Sequence, residues 1–447
     1  MPARANPPRS NFLRHLSSVL GWEGTWWPAV RCLSEQYLDV TASSRIMDIG
    51  LSAWRQLPQC GPAPEERCKH ACCVFKGYMY LFGGRRQNGL KDFWRYSVVQ
   101  NKWEKLDQAE GTAPEELEEP SLVAHEGVLY VFGGMMDSAY TQGKTPLWMY
   151  DIGASRWTHW HKLSSTDTEK QAPINRREHS AVVFEAKMYI YGGYVDIKGP
   201  SQEFWSFTFE LEEWRPVLSS SAEISPGPRY SHSAIVYRTG MYLFGGLVGL
   251  MEQSDFWRWD FDSNTWSRIK ARCGPQQLVG HSAVVYQDSM LIFGGGRNHK
   301  SADNSLWKFQ LTTRSWERLT PATDRAPPAR IYHCTIGAGP GFSPAARGLP
   351  TASTNGPPEE PDRSPIHPPL PDDHDDDSGI EMTTFRMCSG PPPEEGPAQA
   401  DLGEPGGPPP PTDSLPEVLL VVGGKPLSEH KFISMWQMKL CERFLKS

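Results

Sequence analysis

The sequence predicts an all-β chain of tandem four-stranded units that close on themselves, and three recurring features carry that prediction. An apolar run ending in Gly-Gly returns at Tyr78–Gly84, Val128–Gly134, Lys187–Gly193, Gly240–Gly246 and Ser289–Gly295, with spacings of 50, 59, 53 and 49 residues. Downstream of each doublet stand two tryptophans nine residues apart: Trp94/Trp103, Trp148/Trp157, Trp205/Trp214, Trp257/Trp266 and Trp307/Trp316. In four units a histidine (His70, His179, His232, His281) lies 13 residues before the first glycine.

Each feature marks a strand. The histidine opens an apolar run such as Ser180–Phe184, and the doublet closes a second one. The Trp pair, with turn residues such as Asp262-Ser263-Asn264 between its members, reads as an antiparallel hairpin. A lone four-stranded sheet cannot bury both faces, so the units must stack, and a closed circle leaves only short, protected edges.

The sixth unit is interrupted. Arg330–Ile336 reads as its first strand, yet its Gly-Gly arrives only at Gly423-Gly424, followed by Phe432–Met438. The second Trp of this unit is due at Leu445. Asp48–Trp54 matches Asp151–Trp157 in length and spacing, so a strand around Ser52–Leu57 is expected to complete the sixth unit; the competing reading fills the slot with Glu442–Leu445.

These motifs resemble the kelch repeat, whose units fold as the blades of a β-propeller, over about residues 48–338 and 415–440. The expected architecture is therefore a six-bladed kelch-type β-propeller with a short N-terminal extension (1–47) and a disordered Pro/acidic insertion (339–414) in the last blade. The closing strand, blades 1–5 and the start of blade 6 occupy 48–338, and 415–447 hold the remainder. Phe12–Leu16, Trp22 and Trp26-Trp27 suggest a short amphipathic helix with an aromatic patch in the extension.

Composition narrows the class. The 447 residues carry net charge −7, but the insertion alone holds 19 of the 40 prolines and a charge of −11, leaving the rest mildly basic at +4. That is too little for a nucleic-acid stripe, and no nucleic acid is expected as partner. No apolar run reaches the roughly 20 residues of a membrane-spanning helix. Nine irregularly spaced cysteines are not a disulfide framework, so a cytoplasmic location, with the nucleus as the alternative, is expected.

Chemistry is sparse. The histidines occupy equivalent places in different units and read as structural hydrogen-bonding groups, and Cys72 and Cys73 fall where other units carry small core residues such as Ala181 and Val182. No metal and no cofactor is expected, and no catalytic residue stands out; Cys68 is the one candidate reactive thiol. Three residues before the histidine slot stand Arg67, Arg176, Arg229 and Arg330, and the resemblance places their loop, and the loop after Gly-Gly, around one mouth of the channel. Four guanidinium groups facing that mouth would offer bidentate sites for carboxylates or phosphate; the alternative is that each ties neighbouring blades together by hydrogen bonds. With Arg85, Arg86, Tyr194, Tyr230, Arg297 and Asn298 they make a candidate face for a protein or peptide partner carrying an acidic or carboxylate-bearing motif. Ser378, after an acidic run, is a candidate phosphorylation site.

The expected function is that of a non-catalytic interaction module or adaptor. The runner-up is the substrate-recognition subunit of a cullin-type ubiquitin ligase, with cullin-ligase components as partners. A copper oxidase-like enzyme is the remote alternative.

Overall fold

The structure, a computed structural model, describes residues 53–59, 61–106, 113–135, 146–160, 172–220, 224–297, 301–320, 325–342 and 415–440. The helix expected in the extension, the Pro-rich stretch 343–414 with Ser378, Asn298 and residues 441–447 lie outside them. Six four-stranded antiparallel sheets form the blades. In blade 3 the strands are Ser180–Phe184, Lys187–Tyr191, Phe204–Thr208 and Glu213–Pro216, and blades 1, 2, 4 and 5 repeat this order. The first strands of the six blades, five led by a histidine and that of blade 2 by Pro120, neighbour one another in a circle and are the inner strands.

Blade 6 unites the two ends of the described chain. Cys334–Ala338, Val418–Val422 and Met435–Lys439 supply three strands, and Trp54–Gln56 pairs with the last of them in the register Trp54↔Met438 and Gln56↔Trp436. The N-terminal strand, not Glu442–Leu445, takes the fourth place. Trp54 also supplies the missing second tryptophan, packing on Phe293 of blade 5 with ring centroids 5.5 Å apart. The expected start of the insertion at 339 shifts: Pro340–Phe342 form a short 3-10 turn whose buried Phe342 meets Tyr286 at 4.7 Å.

The core is the set of seams between blades. In blades 2 to 5 the second tryptophan reaches back to an aromatic on the preceding blade, Trp157 to Phe82 at 5.5 Å, Trp214 to Phe132 at 5.2 Å, Trp266 to Tyr191 at 5.2 Å and Trp316 to Phe244 at 5.4 Å. Each such ring removes on the order of 150–250 Å² from water.

Backbone hydrogen bonds lock the same seams. The amide of the second glycine in every doublet donates to the next blade, as Gly134 to Arg176 O at 2.9 Å and Gly424 to Arg67 O at 2.9 Å. A side chain cannot enter here: a Cβ on Gly133, whose φ is +76°, would stand 2.3 Å from Arg176 O.

Nearer the axis a second circle closes. Lys69, Glu119, Glu178, Ser231, Gly280 and Tyr332, two residues beyond the arginine slot in each blade, all adopt positive φ between 55 and 64°. The amide of each donates to the carbonyl of its counterpart in the preceding blade, at 2.8–3.3 Å, and Lys69 to Tyr332 O at 2.9 Å completes the loop. This circle narrows the channel mouth to a polar depression of about 170 Å3. Beyond it the channel widens into a mainly apolar cavity of about 740 Å3 lined by residues such as Val74, Ala181, Ile235 and Val285.

Candidate interaction face

The four arginines expected at the mouth point the other way. Arg67, Arg176, Arg229 and Arg330 are only 0, 1, 1 and 4% exposed. Each guanidinium donates to the carbonyl of the first glycine of its own doublet: Gly83, Gly192, Gly245 and Gly423, at 2.7–3.1 Å. In three blades a carboxylate completes the arrangement: Asp92 for Arg67, Glu203 for Arg176 and Asp255 for Arg229. That carboxylate also accepts the indole N–H of the tryptophan two residues on, Trp94 at 2.6 Å, Trp205 at 3.0 Å and Trp257 at 2.6 Å. The arginine beside Asp92, Glu203 and Asp255 holds each acid below its usual range against the opposing effect of burial. In blade 6 a serine, Ser434, stands in the acid's place, and burial lowers Arg330 to about 10. All four guanidinium groups are buried and bonded within their own blades, so the expectation that they bind a ligand is withdrawn. They hold the Gly-Gly turn against the third strand within each blade.

The remaining candidates among the described residues lie on the face formed by the lead-in loops and the loops after Gly-Gly. Arg85 pairs with Glu118 at 2.9 Å and Arg86 with Glu65 at 3.3 Å, both partly exposed, and exposed Arg297 donates to Gln276 at 2.6 Å. Tyr194 and Tyr230 meet edge to face at 5.4 Å, bridging blades 3 and 4. Arg177 lies over Tyr194 at 5.2 Å while pairing with Asp196 at 3.0 Å.

At the centre of this face, Lys69 reaches Glu118 at 3.5 Å and Glu119 at 3.3 Å and lies 5.3 Å over the Tyr332 ring. Its three acidic neighbours raise its pKa despite burial. Glu178 bonds to Ser231. Burial, reinforced by the Glu119 carboxyl alongside, pushes Glu178 up to about 9, so it keeps its proton at neutral pH.

Blades 3 and 4 raise the face further. After their doublets run small hairpins, Tyr194–Val195 with Gly199–Pro200 and Leu247–Val248 with Met251–Glu252. Their tips are apolar and bare: Ile197 is 99% exposed, Leu250 89% and Met251 65%. Ile197 also holds φ at +71°, a conformation that a β-branched residue adopts only at a cost.

Three of the four expected histidines form structural hydrogen bonds, and His70 does not. His179, His232 and His281 each meet a serine of the preceding blade, Ser121, Ser180 and Ser233, at 2.8–3.0 Å. Burial keeps them neutral, lowering His179 to about 3 and His281 to about 4. Cys68 is fully buried and burial pushes its thiol up to about 11, which removes it as a reactive group.

Comparison with known proteins agrees with this architecture. The family model described as the KLHDC2/KLHL20/DRC7 Kelch-repeats domain matches residues 36–162 and 158–340. The chain belongs to the kelch-repeat family. Among kelch-containing relatives, it is 26% identical over 297 residues to the leucine-zipper-like transcriptional regulator 1 homolog of Drosophila melanogaster, covering 63% of this chain and 29% of that protein. It is 28% identical over 309 residues to host cell factor 1 of Homo sapiens, covering 62% of this chain and 15% of that protein. The likeness thus spans less than a third of either relative.

Within this kelch propeller, sequence reasoning missed Arg177, Ile197, Leu250 and the hub residues Lys69, Glu178 and Tyr332. One signal was available: an isoleucine in Asp196-Ile197-Lys198-Gly199 and a leucine after Gly249 are out of place in turns. The hub residues carried no such mark, because only closure of the circle brings them together.

Proposed function

We propose that this propeller is a non-catalytic protein-interaction module whose partner seats on the face carrying the blade 3 and blade 4 hairpins. The observation that supports this most strongly is Ile197, which has neither a packing reason nor a backbone reason to be isoleucine. A large apolar side chain held in a strained turn and left in water fits a contact made only with a second molecule. Leu250 and Met251 on the neighbouring blade extend the apolar patch, and the Tyr194–Tyr230 pair links it toward the hub. Tyrosine and arginine at such a patch suit a buried anchor ringed by polar contacts.

The partner's chemistry is broader than an acidic motif. With the four buried arginines removed from the face, Lys69, Arg85, Arg86 and Arg177 already stand beside carboxylates, and Arg297 is the cation there that bonds to a neutral partner, Gln276. An amphipathic segment, apolar against Ile197 and Leu250 and polar toward the hub, fits better. Proximity labelling in cells with the parent and the Ile197→Asp/Leu250→Asp variant tests this. A set of labelled proteins lost in the variant, at unchanged thermal stability, is expected. An identical set would overturn the assignment of the face, and a cullin adaptor in the lost set would specify a ligase role.

A further inference from the structure

The seam between blades 6 and 1 is built differently from its equivalents. At three seams the inner-strand histidine meets a serine hydroxyl of the preceding blade, as in His232 with Ser180 at 3.0 Å, whereas His333 of blade 6 does not. At the closing seam the serine position is Cys334, and the position two residues after the histidine, which holds Ala181, Ala234 and Ala283 in blades 3 to 5, is Cys72. His70 is only 5% exposed, and neither of its ring nitrogens has a hydrogen-bond partner. An imidazole taken out of water with both nitrogens unused is an uncompensated desolvation; His333 shares it, but among the described residues only His70 has thiols grouped beside it. One donor atom from each of His70, Cys72 and Cys334 lies within 4.8 Å of the other two.

We propose that His70, Cys72 and Cys334 form a binding site for a thiophilic closed-shell metal ion, Zn2+ or Cu+. One imidazole nitrogen and two sulfurs make a soft donor set that favours these ions over Mg2+ or Ca2+. Metal–ligand bonds of about 2.0–2.3 Å place donors that share an ion roughly 3.5–4 Å apart, so the three groups need to close by at most about 1.3 Å, within reach of side-chain rotation. Binding takes a proton from each thiol, leaving two thiolates on the ion. Cys72 also lines the 740 Å3 cavity, so a fourth position on Zn2+ is open to a water molecule, whereas Cu+ is satisfied by the three donors. The expectation of no metal rested on the histidines being spread around the axis. It did not anticipate that closure sets Cys334 beside His70, 264 positions earlier in the chain.

The substitutions Cys72→Ala and Cys334→Ser install residues that other blades already use at these positions, so the fold tolerates them. Reduced parent protein is titrated anaerobically with Co2+, read as thiolate-to-metal charge-transfer absorption and then displaced by Zn2+, and separately with Cu+ against a chromophoric chelator. One equivalent bound by the parent, at least about ten-fold weaker binding in each variant, and a metal-dependent rise in unfolding temperature confined to the parent are expected. Which titration saturates at one equivalent identifies the ion. Failure of both to saturate, or binding equal in parent and variants, overturns the proposal; the latter assigns the metal to other thiols such as exposed Cys273.

Discussion

The Arg229 guanidinium meets the Asp255 carboxylate through two parallel hydrogen bonds, 2.8 and 2.9 Å long, inside blade 4. The same two terminal nitrogens also donate to the carbonyls of Gly245 and Pro226. Arg229→Ala would strand Asp255, itself largely buried and already bonded to Trp257, together with the Gly245 carbonyl. Breaking a buried pair by removing one partner costs about 3–5 kcal/mol. Chemical unfolding of Arg229→Ala should show a loss of that size, whereas Arg297→Ala, on the exposed rim, should stay within about 0.5 kcal/mol of the parent.

Glu178 gives the hub a pH dependence. Its pKa rises from 4.5 in the unfolded chain to about 9 in the folded one. Between those values the folded state holds the extra proton, so stability falls as pH rises through this window. Replacing the acid with a neutral amide removes the slope. The thermal midpoint of Glu178→Gln should approach that of the parent near pH 5 and exceed it progressively toward pH 9; parallel curves would show that the site does not retain its proton.

The inner histidines act at the other end of the scale. Burial lowers His179, His232, His281 and His333 below the ordinary 6.5. The unfolded chain therefore binds more protons below pH 6.5, and stability is lost as pH falls from there toward 4. One pKa unit is worth about 1.4 kcal/mol, and four such sites act together. His281→Gln, which keeps a polar group for Ser233, should flatten the acid limb of a stability-against-pH curve measured by chemical unfolding. An unchanged limb would exclude His281 as a contributor.

Ile197 separates stability from binding. The left-handed conformation costs most residues about 1–2 kcal/mol, and asparagine tolerates it better than isoleucine. Ile197→Asn should leave the fold as stable as the parent or about 1 kcal/mol more so, while weakening partner capture. A variant that unfolds more easily would show that the side chain serves packing.

Trp54 tests the closure. It is buried against Phe293, so Trp54→Ala should cost about 3–5 kcal/mol. Deleting residues 1–57 removes the whole fourth strand of blade 6 and should lower the unfolding temperature further. Unchanged stability would mean that another segment can replace it.

What could be read from the sequence was whatever repeats. The Gly-Gly runs, the paired tryptophans and the match between Asp48–Trp54 and Asp151–Trp157 each state a local rule several times over, and the blades and the closing strand follow from them. Arg67, Arg176 and Arg229 were misjudged because their partners lie 25–27 positions away, although an acid two residues before Trp94, Trp205 and Trp257 is itself a repeated pattern. Blade 5, with Leu278 in the arginine slot, has Ser305 in place of the acid, which makes the pairing visible in retrospect. The Lys69–Glu119–Glu178 cluster and the Cys334–His70 contact follow no repeat. They exist only because six similar units meet at one axis.

The strand Trp54–Gln56 leaves the ribosome before every other described strand, and its partner Met435–Lys439 is made last. At about 5–20 residues per second, the roughly 380 residues between them take on the order of 20–80 s to synthesise. For that interval the newborn chain carries a solvent-facing tryptophan on an unclaimed strand, and the other blades wait without their final neighbour. Closure of the ring thus waits until Met435–Lys439 has been made.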